Sequence, residues 1–372
     1  MLTVERINHR VMAPGSDDEA AGGWTPFGLA ARVAAAESRV QAELDAAVAD
    51  AGLSDGYRLE ERTRLALGES LRSMFATVEA AIRRHATRLL ADRAAPGGTA
   101  LRSSEEATAR LIRAGLLRER ALLADVIARV REDLIAETLP VAVTGPDEPS
   151  LLVRLAAAPD ALVARAALAL LAADSRRRDA RDRGEMQVDD LSGELHRRLV
   201  WHVAAALRGD GADPVVDRAL SEAVVRCLSA HDDHERGDST ALRLAAAIDP
   251  RPAEISSLLV EAIGDRRLGF FIALLAQTLS LPIEQVRTLT IDPVGDRLWL
   301  ALRALGLDRT AIARIGLALA DADPRRDVQA FAQQIEMIVR IPVEQAAAAL
   351  APLALPAEYH AAIRTVDRWT IR

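Results

Sequence analysis

The stretch FIALLAQTLSLPIEQ, residues 271–285, returns in altered form as FAQQIEMIVRIPVEQ at 331–345. Phe271 aligns with Phe331, Leu275 with Ile335, Leu279 with Val339 and Leu281 with Ile341, and both copies end on Pro-x-Glu-Gln. Apolar residues four apart lie on one helix face, so each copy predicts a helix that stops and a second one opened by Pro282 or Pro342 at its first position. Glu284 and Glu344 then complement the positive end of that second helix. The carboxy-terminal part therefore reads as two related helical units.

A different similarity links FATVEAAIRRHATRLLA (75–91) to AAAPDALVARAALALLA (156–172). Ile82 meets Val163, Arg84 meets Arg165, Ala86 meets Ala167, and Leu89 and Leu90 meet Leu170 and Leu171. Small alanines let neighbouring helices approach, the aliphatics fill the seam, and Glu79 or Asp160 suits a helix amino terminus. The pattern resembles the second helix of a HEAT-type repeat, and the separation of the two copies is close to two such units.

Composition agrees with a helical reading. Half of the residues are apolar but only 3% are aromatic, and the bulk is alanine and leucine, which lead the helix propensity scale. We expect an all-α protein. Every basic residue apart from histidine is arginine, since the chain contains no lysine. Schiff-base lysine chemistry, the P-loop lysine and the kinase ATP lysine are thereby excluded. A net charge of −7 opposes a general nucleic-acid binder. The single cysteine, Cys227, has no internal disulfide partner and reads as a small core residue in a reducing compartment. The opening MLTVERINHRVM has no signal-peptide apolar core, and no 18-residue run is free of charge. The expectation is a cytoplasmic protein without membrane insertion.

Along the chain, residues 1–25 read as a flexible leader, 26–140 as an amino-terminal helical segment, 141–250 as a central HEAT-like segment and 251–372 as the carboxy-terminal segment with its internal repeat. Thr25 and Pro26 suit a helix start, and short polar breaks at 174–184, 208–214, 231–238 and 249–254 have the length of connections between packed helices.

The segments EERTRLALGESLRSMFATVEAAIRRHATRLLA, LIRAGLLRERALLADVI and LLVRLAAAPDALVARAALALLA, between residues 60 and 172, resemble the bacterial family called domain of unknown function 2336. The runs at 190–208 and 270–307 look like its continuation. The resemblance implies a helical, HEAT-like protein and carries no catalytic residues with it.

Three stretches could hold chemistry. HDDHERGD (231–238) sets His231 and His234 among carboxylates, but zinc needs three or four ligands, and RGDSTALRLAAAI follows with Asp238 or Ser239 placed to cap a new helix. It reads as a solvated connection, with metal binding as the alternative. ELHRRLVWHV (194–203) loosely resembles a histidine-kinase phosphoacceptor helix through Glu194, His196, Arg198 and Leu199, yet Trp201 replaces the expected Asn and no ATP-binding region follows. SRRRDARDR (175–183) has five arginines interrupted by Asp179 and Asp182 and no aromatic residues for base stacking, so it reads as a solvated helix end. In DPVGD (292–296), Asp296 suits a cap and Trp299, Leu300, Leu302 and Leu305 are core candidates.

The functional expectation is a non-catalytic scaffold or regulatory protein that needs no cofactor and presents a helical-repeat surface to a protein partner, with the recurring Arg84 and Arg165 as candidate contact residues. The alternatives are phosphotransfer at His196 and a metal-dependent enzyme using His231 and His234.

Overall fold

The computed structural model describes residues 25–50, 59–92, 101–116, 119–141, 149–182, 190–209, 213–231 and 236–356, with single positions 359, 362 and 366. Among the described residues the chain forms sixteen α-helices and no β-strand, so the fold is all-α. The first eight helices are α1 (Pro26–Asp50), α2 (Glu61–Asp92), α3 (Ser104–Arg113), α4 (Arg120–Thr138), α5 (Leu151–Ala156), α6 (Ala161–Asp182), α7 (Gly193–Leu207) and α8 (Pro214–Ala230). The rest are α9 (Gly237–Ile248), α10 (Pro252–Gly264), α11 (Leu268–Leu279), α12 (Ile283–Ile291), α13 (Asp296–Ala304), α14 (Arg309–Ala322), α15 (Val328–Arg340) and α16 (Val343–Leu350), with a final 3-10 turn at Ala351–Ala354.

Many boundaries follow from side chains that satisfy the free N–H groups of a first turn. Thr25 accepts from Gly28 N, Asp213 from Val215 N and Val216 N ahead of Pro214, Asp308 from Ala311 N, and Asp327 from Gln329 N and Ala330 N. Ser103 and Glu106 form a reciprocal capping box on α3. Such caps contribute about 1 kcal/mol each.

The repeat at 271–285 and 331–345 opens its second helix alike in both copies, although the first helix stops on a left-handed Ser280 in one and continues through Arg340 in the other. Pro282 O accepts from Gln285 N and Val286 N, and Pro342 O accepts from Gln345 N and Ala346 N. Each proline sits one position before its helix, as the cap rather than the first turn. Phe271, Phe331, Leu275, Ile335, Leu281 and Ile341 are all buried.

The earlier pair of windows falls on unlike elements. Ile82, Val163, Ala86, Ala167, Leu89 and Leu170 are buried in register. Asp160 caps α6 by accepting from Leu162 N and Val163 N, but Glu79 lies in the middle of the 32-residue α2, buried and held by Arg83 and Ser104. Glu79 therefore belongs to side-chain packing between α2 and α3, not to a helix end.

Among the described residues buried apolar side chains form two cores. One joins α2, α3, the first half of α4, α7 and α8 through residues such as Met74, Ile82, Val126, Val203 and Val224. The other joins α1, the end of α4, α5, α6 and α9–α16, with Phe271, Leu274, Trp299 and Leu319 at its centre. Packing does not follow chain order. Helix α6 packs on α9, although the α7–α8 hairpin separates them in sequence, and that hairpin lies instead on α2 and α3. Helix α4 runs through both cores: Leu122, Leu123, Val126 and Val130 serve the first, Ile135 and the following Leu139 the second.

Among the described residues no single helix is long and apolar enough to cross a membrane. Helices α15 and α16 together have the composition of a span, but they are bent by 109°, and Phe331, Ile335, Ile338, Ala346 and Leu350 belong to the larger core.

Candidate functional site

Where the two cores meet on α4, the chain buries ions. Arg129 and Glu132 flank Val130 on α4, where the first apolar stretch ends, and Arg287 reaches them from α12; Arg129 and Arg287 are each 1% exposed. Arg287 Nε donates to Glu132 at 2.7 Å and its Nη2 donates to Asp238, which also receives Arg129 Nη2 at 3.0 Å. Arg129 Nε donates to Asp125 at 3.1 Å. Arg177, from α6, pairs with Glu132 at 3.3 Å and Asp133 at 2.9 Å. Arg236 closes the root of the α7–α8 hairpin by donating to Asp190 O at 3.3 Å and lying 3.5 Å from Asp238. Burial alone would push the Asp238 carboxyl up, but Arg287, Arg129 and Arg236 hold it well below the usual carboxylate range. Burial likewise works against the charge on Arg129, and Asp238 and Asp125 reverse it. A cavity of about 40 Å³ beside Arg177, Asp190 and Asp238 has room for little more than a water. The cluster ties the hairpin, α4, α6 and α12 together.

Asp238 is thus a correction to the reading of 231–238. It does not cap α9: the cap position is Arg236, without a side-chain bond, and Asp238 turns inward to two arginines. A carboxylate facing two desolvated guanidiniums gains more there than from the first-turn N–H groups.

A second arginine cluster surrounds the turn 292–297, between α12 and α13. Gly295 adopts φ +76, and a Cβ there would lie 2.7 Å from the Trp299 ring, so only glycine fits the turn. Asp296 is the first helical residue rather than the cap, and its carboxylate accepts from Arg32 Nη1 of α1 at 2.9 Å. Asp292 accepts from Val294 N and lies 3.5 Å from Arg39. Asp323 is gripped by Arg325 through two nitrogens at 2.8 Å, and Arg326 donates to Thr290 O. Arg297 is 1% exposed, and among the described residues it makes neither a hydrogen bond nor an ion pair; its Nε and Nη2 are buried without an acceptor. Burial pushes the guanidinium of Arg297 down, and that of Arg326 down to about 10. Burial also pushes the Asp296 carboxyl up, against Arg32 and Arg39.

This cluster borders open space. A groove of about 230 Å³ runs between α1, α4 and α12, walled by Val40, Leu44, Ile127 and Ile291 and flanked by Arg39, Arg131 and Arg297. Across the turn, a cavity of about 240 Å³ is lined by Trp299, Phe331, Gly316 and Arg326. The Trp299 and Phe331 ring centroids are 4.6 Å apart, and Gly316 passes so close to Phe331 that any Cβ would overlap the ring.

The residues nominated from sequence are scattered. Arg84 on α2 and Arg165 on α6 are both exposed and lie on different cores. His196 is buried on α7 and packs its ring on His231, with centroids 4.1 Å apart, so it is not presented to solvent as a phosphoacceptor would be. Leu199 is buried, whereas Trp201 and His202 are exposed. His234 lies outside the described residues, and among those described no three metal-competent side chains gather. In the 175–183 run, Arg176 and Arg178 are solvated, but Arg177 turns into the ionic cluster. Cys227 is half-buried against the first core, and burial pushes its thiol up.

No curated protein and no solved structure matches the chain. One family model does, over residues 135–351, which takes in α5 to α16, the two runs at 190–208 and 270–307 and most members of both arginine clusters; the runs between 60 and 134 fall before it. With more than half of its length matched, the chain belongs to DUF2336, a family described as uncharacterised protein conserved in bacteria.

Proposed function

We propose that the protein is a non-catalytic scaffold or regulatory module that holds a protein partner on its helical surface, with the groove between α1, α4 and α12 as the recognition site. The observation that supports this is the groove itself, whose apolar walls are broken by three arginines with unfilled donors, Arg39, Arg131 and Arg297. An apolar body fixed by a few polar groups is the usual composition of a binding cleft. Its walls come from helices distant in sequence, so the site exists only in the folded chain.

The test is photo-crosslinking in the native host from Ala124, which is exposed on the groove, and from Arg84 and Arg165, which are exposed elsewhere. A partner captured from Ala124 and lost when Ala128→Trp fills the groove supports the reading. Capture from Arg84 or Arg165 alone, indifferent to Ala128→Trp, transfers the partner to those helices; capture from none of the three removes it.

A further inference from the structure

We infer that the groove holds an oxyanion, a carboxylate or phosphate group carried on an apolar body, which the guanidinium of Arg297, at the turn 292–297, turns to grip. This rests on the groove being the recognition site and states what it recognises. The argument begins with how this chain uses arginine elsewhere. Arg64, Arg83, Arg208, Arg251 and Arg325 each present Nε and Nη2 together to one carboxylate group. Those two parallel N–H donors match the geometry of a carboxylate or phosphate. In Arg297 the same two nitrogens have no acceptor and are closed to water, so the side chain must turn toward the groove it lines to present them.

An unfilled buried donor carries a desolvation penalty, and a buried ion without a partner carries a larger one. The carboxylates around Arg297 are committed elsewhere, Asp292 to Arg39 and Val294 N, Asp296 to Arg32. Glu37, half-buried on the same groove, acts on Arg297 only from beyond ion-pair distance. Arg39 Nε and Arg131 Nε, on the same walls, are also buried without an acceptor. Arg326, on the far side of the turn, pairs with Asp323 at 3.8 Å and, like Arg297, draws also on Asp292. Positive charge at this turn is therefore short of acceptors, beside a space of about 230 Å³. An apolar cavity of roughly 150 Å³ accommodates benzene, so the groove admits a small organic acid or phosphate ester, or one side chain of a larger partner.

The experiment is an arginine Nε–H NMR titration of the full chain with sodium acetate and with inorganic phosphate, against sodium chloride at matched ionic strength. Loss of one signal in Arg297→Lys assigns it. The expected result is a saturable shift of the Arg297 signal with acetate or phosphate and none with chloride, the tighter of the two naming carboxylate or phosphate. Arg39→Gln, at the more open end of the groove, is expected to weaken binding by about tenfold or more, the scale of a charged hydrogen bond, and Glu37→Gln to strengthen it. If Arg297→Lys does not fold, the signal that responds to both Arg39→Gln and Glu37→Gln serves instead. An Arg297 signal unmoved by either oxyanion, or moved equally by chloride, overturns the inference. Because the titration contains no partner, its failure leaves any Ala124 crosslink standing, and a saturable shift without any crosslink removes only the partner reading.

Discussion

Among the described residues arginine is buried in two places, and the two places differ in what they leave unfilled. At the junction on α4, Arg129 and Arg287 are almost wholly enclosed, yet each directs two nitrogens at carboxylates and keeps a single one empty. At the turn 292–297, Arg297 is equally enclosed and directs none. Electrostatics separates them too: the junction carboxylates overcome the cost of burial at Arg129, while at Arg297 and Arg326 burial wins. Beside the junction there is room for little more than a water; beside the turn there are two larger spaces. A buried ion whose partners are complete serves cohesion, and one whose partners are missing beside a groove invites a ligand.

Breaking the junction should have the largest effect. Arg287→Met leaves Glu132 with Arg177 alone and Asp238 one guanidinium short, and removing one partner of a buried pair costs about 3–5 kcal/mol. Urea melts should show a midpoint lowered accordingly. A midpoint within error of wild type would show that the junction is not a source of cohesion.

The same contrast is expected in acid. The Asp238 carboxyl sits below its unfolded value, so its contribution is fully present above that unfolded value and is lost as pH falls through the folded one. Asp296, raised by burial, behaves oppositely: its contribution is greatest below the unfolded value and declines as pH rises through the folded one. Against wild type, Asp238→Asn should therefore lose most stability at neutral pH and least at the acid end of the profile. Asp296→Asn should cost least, or even gain, at neutral pH. Parallel profiles for the two variants would erase the distinction.

Much of the fold was readable and little of the site was, for reasons visible at particular residues. The helix-stop-helix of 271–285 was legible because proline, glutamate and the four-residue apolar spacing act locally. The return of the α7–α8 hairpin to α2 was not, because nothing local distinguishes it from the next hairpin in a stack. Arginine is expected in solvent, yet α12 carried a signal. Ile283, Val286, Arg287, Thr290 and Ile291 occupy one buried stripe at the spacing of a core face, with arginine at a position an aliphatic would fill. Arg177 hid in a run where Arg176 and Arg178 are solvated, and Asp238 in a stretch that resembled a connector. Arg297 gave no signal of its own, since an empty donor is defined by what folding fails to bring near it.

A smaller effect tests the scaffold of the turn. Gly295 and Gly306 have nearly equal φ, +76 and +75, but a Cβ meets the Trp299 ring at the first and nothing within 4 Å at the second. Gly306→Ala should cost about 1 kcal/mol for the left-handed backbone. Gly295→Ala should cost roughly 1–3 kcal/mol more, because Trp299 is packed against Phe331 and has little freedom to yield. Calorimetric melts of the two variants isolate the ring overlap, and equal costs would mean that Trp299 moves aside without penalty.

The smallest effect is the one that bears most on function. Met has about the length of the arginine stem and no charge to desolvate, so Arg297→Met removes an ion that has no partner to strand. Replacing buried charge by a packed hydrophobic group is often neutral or stabilising. Arg297→Met should therefore change stability by no more than about 1 kcal/mol, in contrast to Arg287→Met at the same burial. If Arg297→Met proves as damaging as Arg287→Met, then Arg297 is held by interactions as complete as those of the junction, and the groove loses its claim to a missing anion. A neutral or stabilising result would mean that the chain keeps an ion it does not need for folding, which leaves binding as the reason for its place beside the groove.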